Sequence, residues 1–201
     1  MSRIFELCNK IGRKWRREVD NLELAQDYFN VLLEYRSEDK EDAQDALLDF
    51  CHDLDNNMPF IIHSIEIEDA NDFVNLHRDV MNVVAPFDFD TYCRFIEWNR
   101  PPEQQFYMPR RKQLLPAVLA LQQLADGKLD LLTLSFPPGV GKTTLALFFL
   151  SWIGGREPNK PILSCSHSGS FLQGIYKELL RILDADGEYL FNSVFPQSPV
   201  T

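Results

Sequence analysis

Residues 129–144, LDLLTLSFPPGVGKTT, decide how this chain is read. Leu129, Leu131, Leu132 and Leu134 make a short apolar run, the composition of a parallel strand covered on both faces. Pro137, Pro138, Gly139, Val140 and Gly141 follow, and Lys142, Thr143 and Thr144 close a Walker A signature. In such a loop the backbone N–H groups surround the phosphates, the lysine reaches the β and γ phosphates, and the hydroxyl binds Mg²⁺. The expected ligands are therefore ATP and Mg²⁺. Pro138 through Thr144 form the cradle, Lys142 is the catalytic cation and Thr143 the Mg²⁺ ligand.

The surroundings strengthen the signature, because GK[ST] alone is common. Helix formers continue from Thr144 through Trp152, and Leu145, Ala146, Leu147, Phe148, Phe149 and Leu150 wrap the helix all round, so it should be buried on nearly every side. The competing reading is a glycine-rich strand–helix turn with no ligand; the order strand, loop, GKT, helix favours the phosphate loop. One departure stands out. The full pattern begins with a glycine where this chain has Phe136, so the loop is shortened. The prolines hold the chain extended, while Gly139 and Gly141 supply permissive backbone angles nearer the phosphates.

Composition is that of an ordinary globular protein: 201 residues, 45% hydrophobic and 25% charged. No apolar run is long enough to cross a membrane, and the region after Met1 lacks a signal-peptide core. Cys8, Cys51, Cys93 and Cys165 show neither CxxC spacing nor histidines at zinc-finger spacing, and read as buried thiols. His52, His63, His77 and His167 are scattered and read as structural. The net charge of −10 is uneven, since residues 1–100 hold 11 Lys/Arg against 22 Asp/Glu and residues 101–201 hold 9 against 8. A uniformly acidic protein is a poor DNA binder, whereas a near-neutral second half leaves that possibility open.

The first hundred residues read as helices, with apolar sets at Ile4, Leu7, Cys8, Ile11, Trp15 and at Leu24, Tyr28, Val31, Leu32, Tyr35. A third set, Ala43 to Leu54, ends at Asn56-Asn57-Met58-Pro59; residues 60–67 fit a short strand or a buried helical turn. Helical spacing resumes at Phe73, Leu76, Val80 and Val83, and again from Asp88, an N-cap candidate, to Trp98. Lys10, Arg13, Lys14, Arg16 and Arg17 form a basic patch, either a solvated face or a DNA contact. Glu38, Asp39, Glu41, Asp42, Asp45, Asp49, Asp53 and Asp55 form an acidic helix that reads as a solvated face rather than a metal site, because helical spacing does not guarantee convergent ligands. Past Pro102 the order becomes α-β-α-β-α: helix 110–125, strand 129–135, helix 142–154, strand 162–166 and helix 171–183. Asp184 and Asp186 end an apolar run, but its helical spacing, broken by Arg181, argues against a Walker B strand.

FDFDTYCRFIEW (87–98) through SVFP (193–196) resembles the start of the large terminase subunit of tailed bacteriophages, the ATPase that drives DNA into the prohead. FPPGVGKTTLALFFLSWIGGREPNKPILSCSHS (136–168) looks like that family's loop, helix and next strand, including the PP-x-x-GK[ST] form without the first glycine. FLQGIYKELLRIL and GEYLFNSVFP match in placement, and YMPRRKQLL (107–115) sits where the family places its adenine-contacting segment, which implies adenine roles for Tyr107, Arg110 and Gln113. Many members carry an arginine in the loop where this chain has Gly139.

The resemblance implies an α/β fold: a helical amino-terminal region, residues 1–100, then in residues 101–201 the first βαβ part of a P-loop ATPase with a parallel sheet. It implies ATP hydrolysis coupled to double-stranded DNA translocation, a small terminase subunit and a portal as partners, a homo-oligomeric ring, and the cytoplasm of a bacterial host. Walker B, a catalytic glutamate, a coupling motif and a nuclease domain have no counterpart after Thr143, so the chain reads as an amino-terminal piece that alone binds nucleotide weakly or not at all and does not turn it over. Two other readings stay open. One is a helicase or AAA-type P-loop ATPase, which normally keeps the first glycine; the other is a non-catalytic nucleotide-binding interaction module.

Overall fold

The computed structural model describes residues 3–38, 40–166, 168–184 and 187–198. Among them the regular structure is helical throughout, in two compact units, Met1–Val84 and Ala85–Thr201. The first unit holds α1 (Arg3–Trp15), α2 (Leu22–Glu38), α3 (Lys40–Ser64) and α4 (Ile67–Val84). The second holds α5 (Phe89–Phe95), α6 (Arg111–Ala125), α7 (Lys142–Arg156), α8 (Gly169–Leu183) and the single turn α9 (Phe191–Val194), with 3-10 turns at Pro102–Gln104 and Met108–Arg110. No helix of the described residues is long and apolar enough to cross a membrane.

In the first unit each helix packs on its sequence neighbour, and α2 also touches α4. Trp15, Tyr28 and Phe50 meet at its centre, with the Phe50 ring 4.9 Å from both others and edge-on to them. Such close approach needs Gly12, where an added Cβ would lie 2.7 Å from the Tyr28 ring. The third helix runs through the expected stop at Pro59 and ends at Ser64. A proline inside a helix removes one backbone donor, and fully buried Ile61, two residues on, anchors the continuation. Residues 60–64 are thus helix, not strand.

The second unit is organised on α7. Phe148 and Trp152 are fully buried against α5 and the carboxyl-terminal segment: Trp152 lies 5.0 Å from Phe89, and Phe148 6.0 Å from Tyr189. Trp152 Nε1 donates to the Ala85 carbonyl at 2.9 Å, and the Tyr92 and Ser151 hydroxyls share a 2.7 Å bond. Phe195 packs directly on Gly155, where a Cβ would meet its ring at 2.2 Å. Because α5 packs on α6 and α7, the units divide after Val84, ahead of the compositional change near Pro101-Pro102.

The parallel sheet and βαβ unit expected for residues 101–201 are not there. Among the described residues no strand forms, and no backbone hydrogen bond joins 129–135 to 162–166. Leu131 is 82% exposed and Leu163 88% exposed, whereas strands inside a parallel sheet would bury both. The physical reason lies in what a strand is. It exists through ladder bonds to a neighbour, and an apolar run specifies burial without supplying that neighbour. The α/β expectation is corrected to an all-helical architecture among the described residues. The expected all-round burial of α7 is also too strong: Ala146 is exposed, and Phe149 and Leu150 are half-buried.

Candidate functional site

The loop 137–141 ends on Gly141, which is the N-cap of α7 with φ 96°; Gly139 has φ 83°. Both lie in the left-handed region that favours glycine. No side chain caps α7, so the N–H groups of its first turn are left to an outside acceptor. Lys142 and Thr143 are exposed there, Thr144 and Val140 half-buried, and Pro138 exposed. An uncapped helix amino terminus, two left-handed glycines and an exposed lysine together provide donors and positive charge for an anion.

Beneath the loop lies Phe106, whose ring would be 2.1 Å from a Cβ at Gly141. The ring stands perpendicular to Phe148 at 5.7 Å, so it ties the loop to the buried face of α7. Two carboxylates position it. Glu97, 1% exposed, accepts from the Phe106 and Tyr107 backbone N–H groups, at 2.9 and 2.8 Å, and from Arg100 at 2.9 Å. Asp90 accepts the Tyr107 hydroxyl and three guanidinium bonds from Arg111, at 3.0, 3.2 and 2.7 Å. These acids are buried and satisfied, as buried charge requires.

The three residues expected on the adenine side are placed differently from one another. Tyr107 is fully buried, and burial, reinforced by the bond to Asp90, holds its hydroxyl far above the usual tyrosine range. Its side chain therefore braces the segment. Arg110 lies over the Phe106 ring, 5.3 Å from the centroid, and donates to the Phe106 carbonyl at 3.1 Å, one ring away from Gly141. Gln113 is exposed in the first turn of α6.

On the other side of the loop, α7 and α8 enclose a cleft of about 340 Å³. Thr143 and Leu147 line it from α7, and Ser170, Phe171, Gly174 and Glu178 from α8. Glu178 is the carboxylate that shares this cleft with the expected Mg²⁺ ligand; it pairs with Arg181 at 3.1 Å. Asp184 is the C-cap of α8, past a helix as its spacing indicates, and Asp186 lies outside the described residues, as does His167.

The sequence did not single out Phe106, Asp90, Glu97 or Glu178. Acids inside helical patterns read as solvated, and nothing local marks Asp90 and Glu97 as buried.

Of the other candidates, Arg16 of the basic patch pairs with Asp53 at 2.7 Å, while Lys10, Arg13, Lys14 and Arg17 line a shallow cleft along α1. The acids Glu41, Asp42, Asp45 and Asp49 are exposed, as a solvated face requires, whereas Asp53 and Asp55 of the same run are half-buried and paired with Arg16 and His77. Cys8, Cys51 and Cys93 are buried, but Cys165 is exposed. Burial pushes the Cys8 thiol up to about 11 and the Cys93 thiol well above its ordinary value. Comparison with protein-family models, with curated proteins and with solved structures finds no match to this chain.

Proposed function

We propose that residues 138–144 bind the phosphates of ATP with Mg²⁺, and that the chain serves a phage-type DNA-packaging ATPase of the terminase large-subunit kind. One observation carries the nucleotide part: α7 begins at Lys142 with no side-chain cap, directly after two left-handed glycines. That arrangement supplies several N–H donors and a lysine to one anion. Lys142 neutralises β/γ phosphate charge and Thr143 holds Mg²⁺. Arg110, held above Phe106, and Gln113 offer polar contacts on the side expected for adenine. Tyr107, bonded to Asp90, braces the segment that carries them. The packaging part, with double-stranded DNA, a small terminase subunit, a portal and a ring of copies, rests on the resemblance of 87–98 and 136–168.

Lys142→Ala tests the nucleotide part. The side chain is exposed, so its loss leaves the helices intact. Calorimetric titration with Mg-ATP should show binding by the parent and at least tenfold weaker binding by the variant, the loss of about 1.4 kcal/mol or more. Equal affinity in both proteins overturns the assignment.

A further inference from the structure

The first unit brings Cys51, Asp55 and His77 together. Cys51 and Asp55 stand one turn apart on α3, so they share a face, and His77 reaches them from α4. One ligand atom from each, the thiol sulfur, a carboxylate oxygen and a ring nitrogen, lies within 4.8 Å of the other two. His77 Nε2 is 2.8 Å from Asp55 Oδ1. The sequence hides the group, because 51, 55 and 77 match no zinc-finger spacing.

We propose that Cys51, Asp55 and His77 form a binding site for a borderline-soft divalent transition metal, zinc by its donor set. Sulfur and imidazole nitrogen select such an ion, whereas Mg²⁺ and Ca²⁺ take oxygen ligands. Bond lengths of about 2.0–2.3 Å to a tetrahedral zinc put the donors about 3.3–3.8 Å apart. The present separations reach that geometry by a shift of about 1 Å in side chains. On binding, the Cys51 thiol gives its proton to solvent and the thiolate takes the metal. Thiolate and carboxylate together balance the 2+ charge, which lowers the cost of holding the ion among buried groups. Cys51 is fully buried and His77 nearly so, while the Asp55 side chain keeps 22% of its surface, which gives the ion an entry and leaves room for water as a fourth ligand. The exposed acids Asp45 and Asp49 on the same helix raise the local cation concentration. The ion would cross-link α3 to α4. This site stands in the first unit and does not depend on the nucleotide reading.

Cobalt(II) is the probe, added to the full chain after chelator treatment. The site predicts a thiolate-to-cobalt charge-transfer band that saturates at one equivalent and is removed by competing zinc. Cys51→Ser should abolish the band, and Cys165→Ser, at the exposed thiol, should leave it unchanged. Asp55→Asn, at the solvent edge, keeps the test decisive if Cys51→Ser fails to fold by circular dichroism. It should weaken zinc binding by at least the 10–100-fold that loss of a supporting residue costs a metal site. No band in the parent overturns the proposal, as does a band that survives Cys51→Ser, one that vanishes with Cys165→Ser, or unchanged zinc affinity in Asp55→Asn.

Discussion

Gly141 is constrained twice, by φ 96° and by the Phe106 ring 2.1 Å from where a Cβ would stand; Gly139 is constrained only by φ 83°, with nothing within 4 Å. A left-handed angle costs an ordinary residue about 1–2 kcal/mol, and forcing atoms into a packed site adds about 1–3 kcal/mol. Gly141→Ala should therefore lower the urea midpoint clearly more than Gly139→Ala. Equal losses would mean that Phe106 does not rest on the loop. Tyr107 makes a second test possible at this scale. Removing its hydroxyl in Tyr107→Phe should cost about 1.5–3 kcal/mol, the usual worth of a hydrogen bond to a charged group. Because its folded pKa is raised, the stability tied to it is full below the unfolded value of about 10 and is lost as pH rises above that. The stability of Tyr107→Phe, measured by urea denaturation, should accordingly fall off less steeply than the parent's beyond about pH 10.

At the scale of elements, the proposed phosphate loop is supported through the segment that follows α5. The carboxylates of α5 and the turn after it, Asp90 and Glu97, fix residues 106–111, and Phe106 then supports Gly141. Glu97→Gln replaces an acceptor-only group with an amide that also carries donors, facing two backbone N–H groups and Arg100. It should destabilise by about 1–3 kcal/mol and weaken Mg-ATP binding together with stability; a variant as stable as the parent would count against this support. Helices were legible in the sequence because period-3.6 burial is local: Leu24, Tyr28, Leu32 and Tyr35 are all buried as their spacing implies. The Asp88 cap was legible too, and its carboxylate accepts from the Thr91 N–H at 2.7 Å. Strands 129–135 and 162–166 were misread because pairing is not local; a run such as LDLLTLS names no partner. The loop residues 138–144 were legible as a motif, whereas Phe106, Asp90, Glu97 and Glu178 come to the site through tertiary packing that no spacing records.

At the scale of the whole molecule, the chain divides into two units with separate cores, and the acidity belongs to the first. Residues 1–84 carry their own aromatic centre, Trp15, Tyr28 and Phe50, and should fold alone into a helical domain with a cooperative thermal transition. A non-cooperative melt would contradict that independence. Backbone amide resonances followed while Mg-ATP is added would report on the phosphate-binding loop proposed at the start of α7. The amides of Gly139, Gly141, Lys142, Thr143 and Thr144 should shift together and saturably in the parent, and should not do so in Lys142→Ala. Amides of this loop that stay in place at millimolar nucleotide, or shifts confined to other segments, would contradict the account.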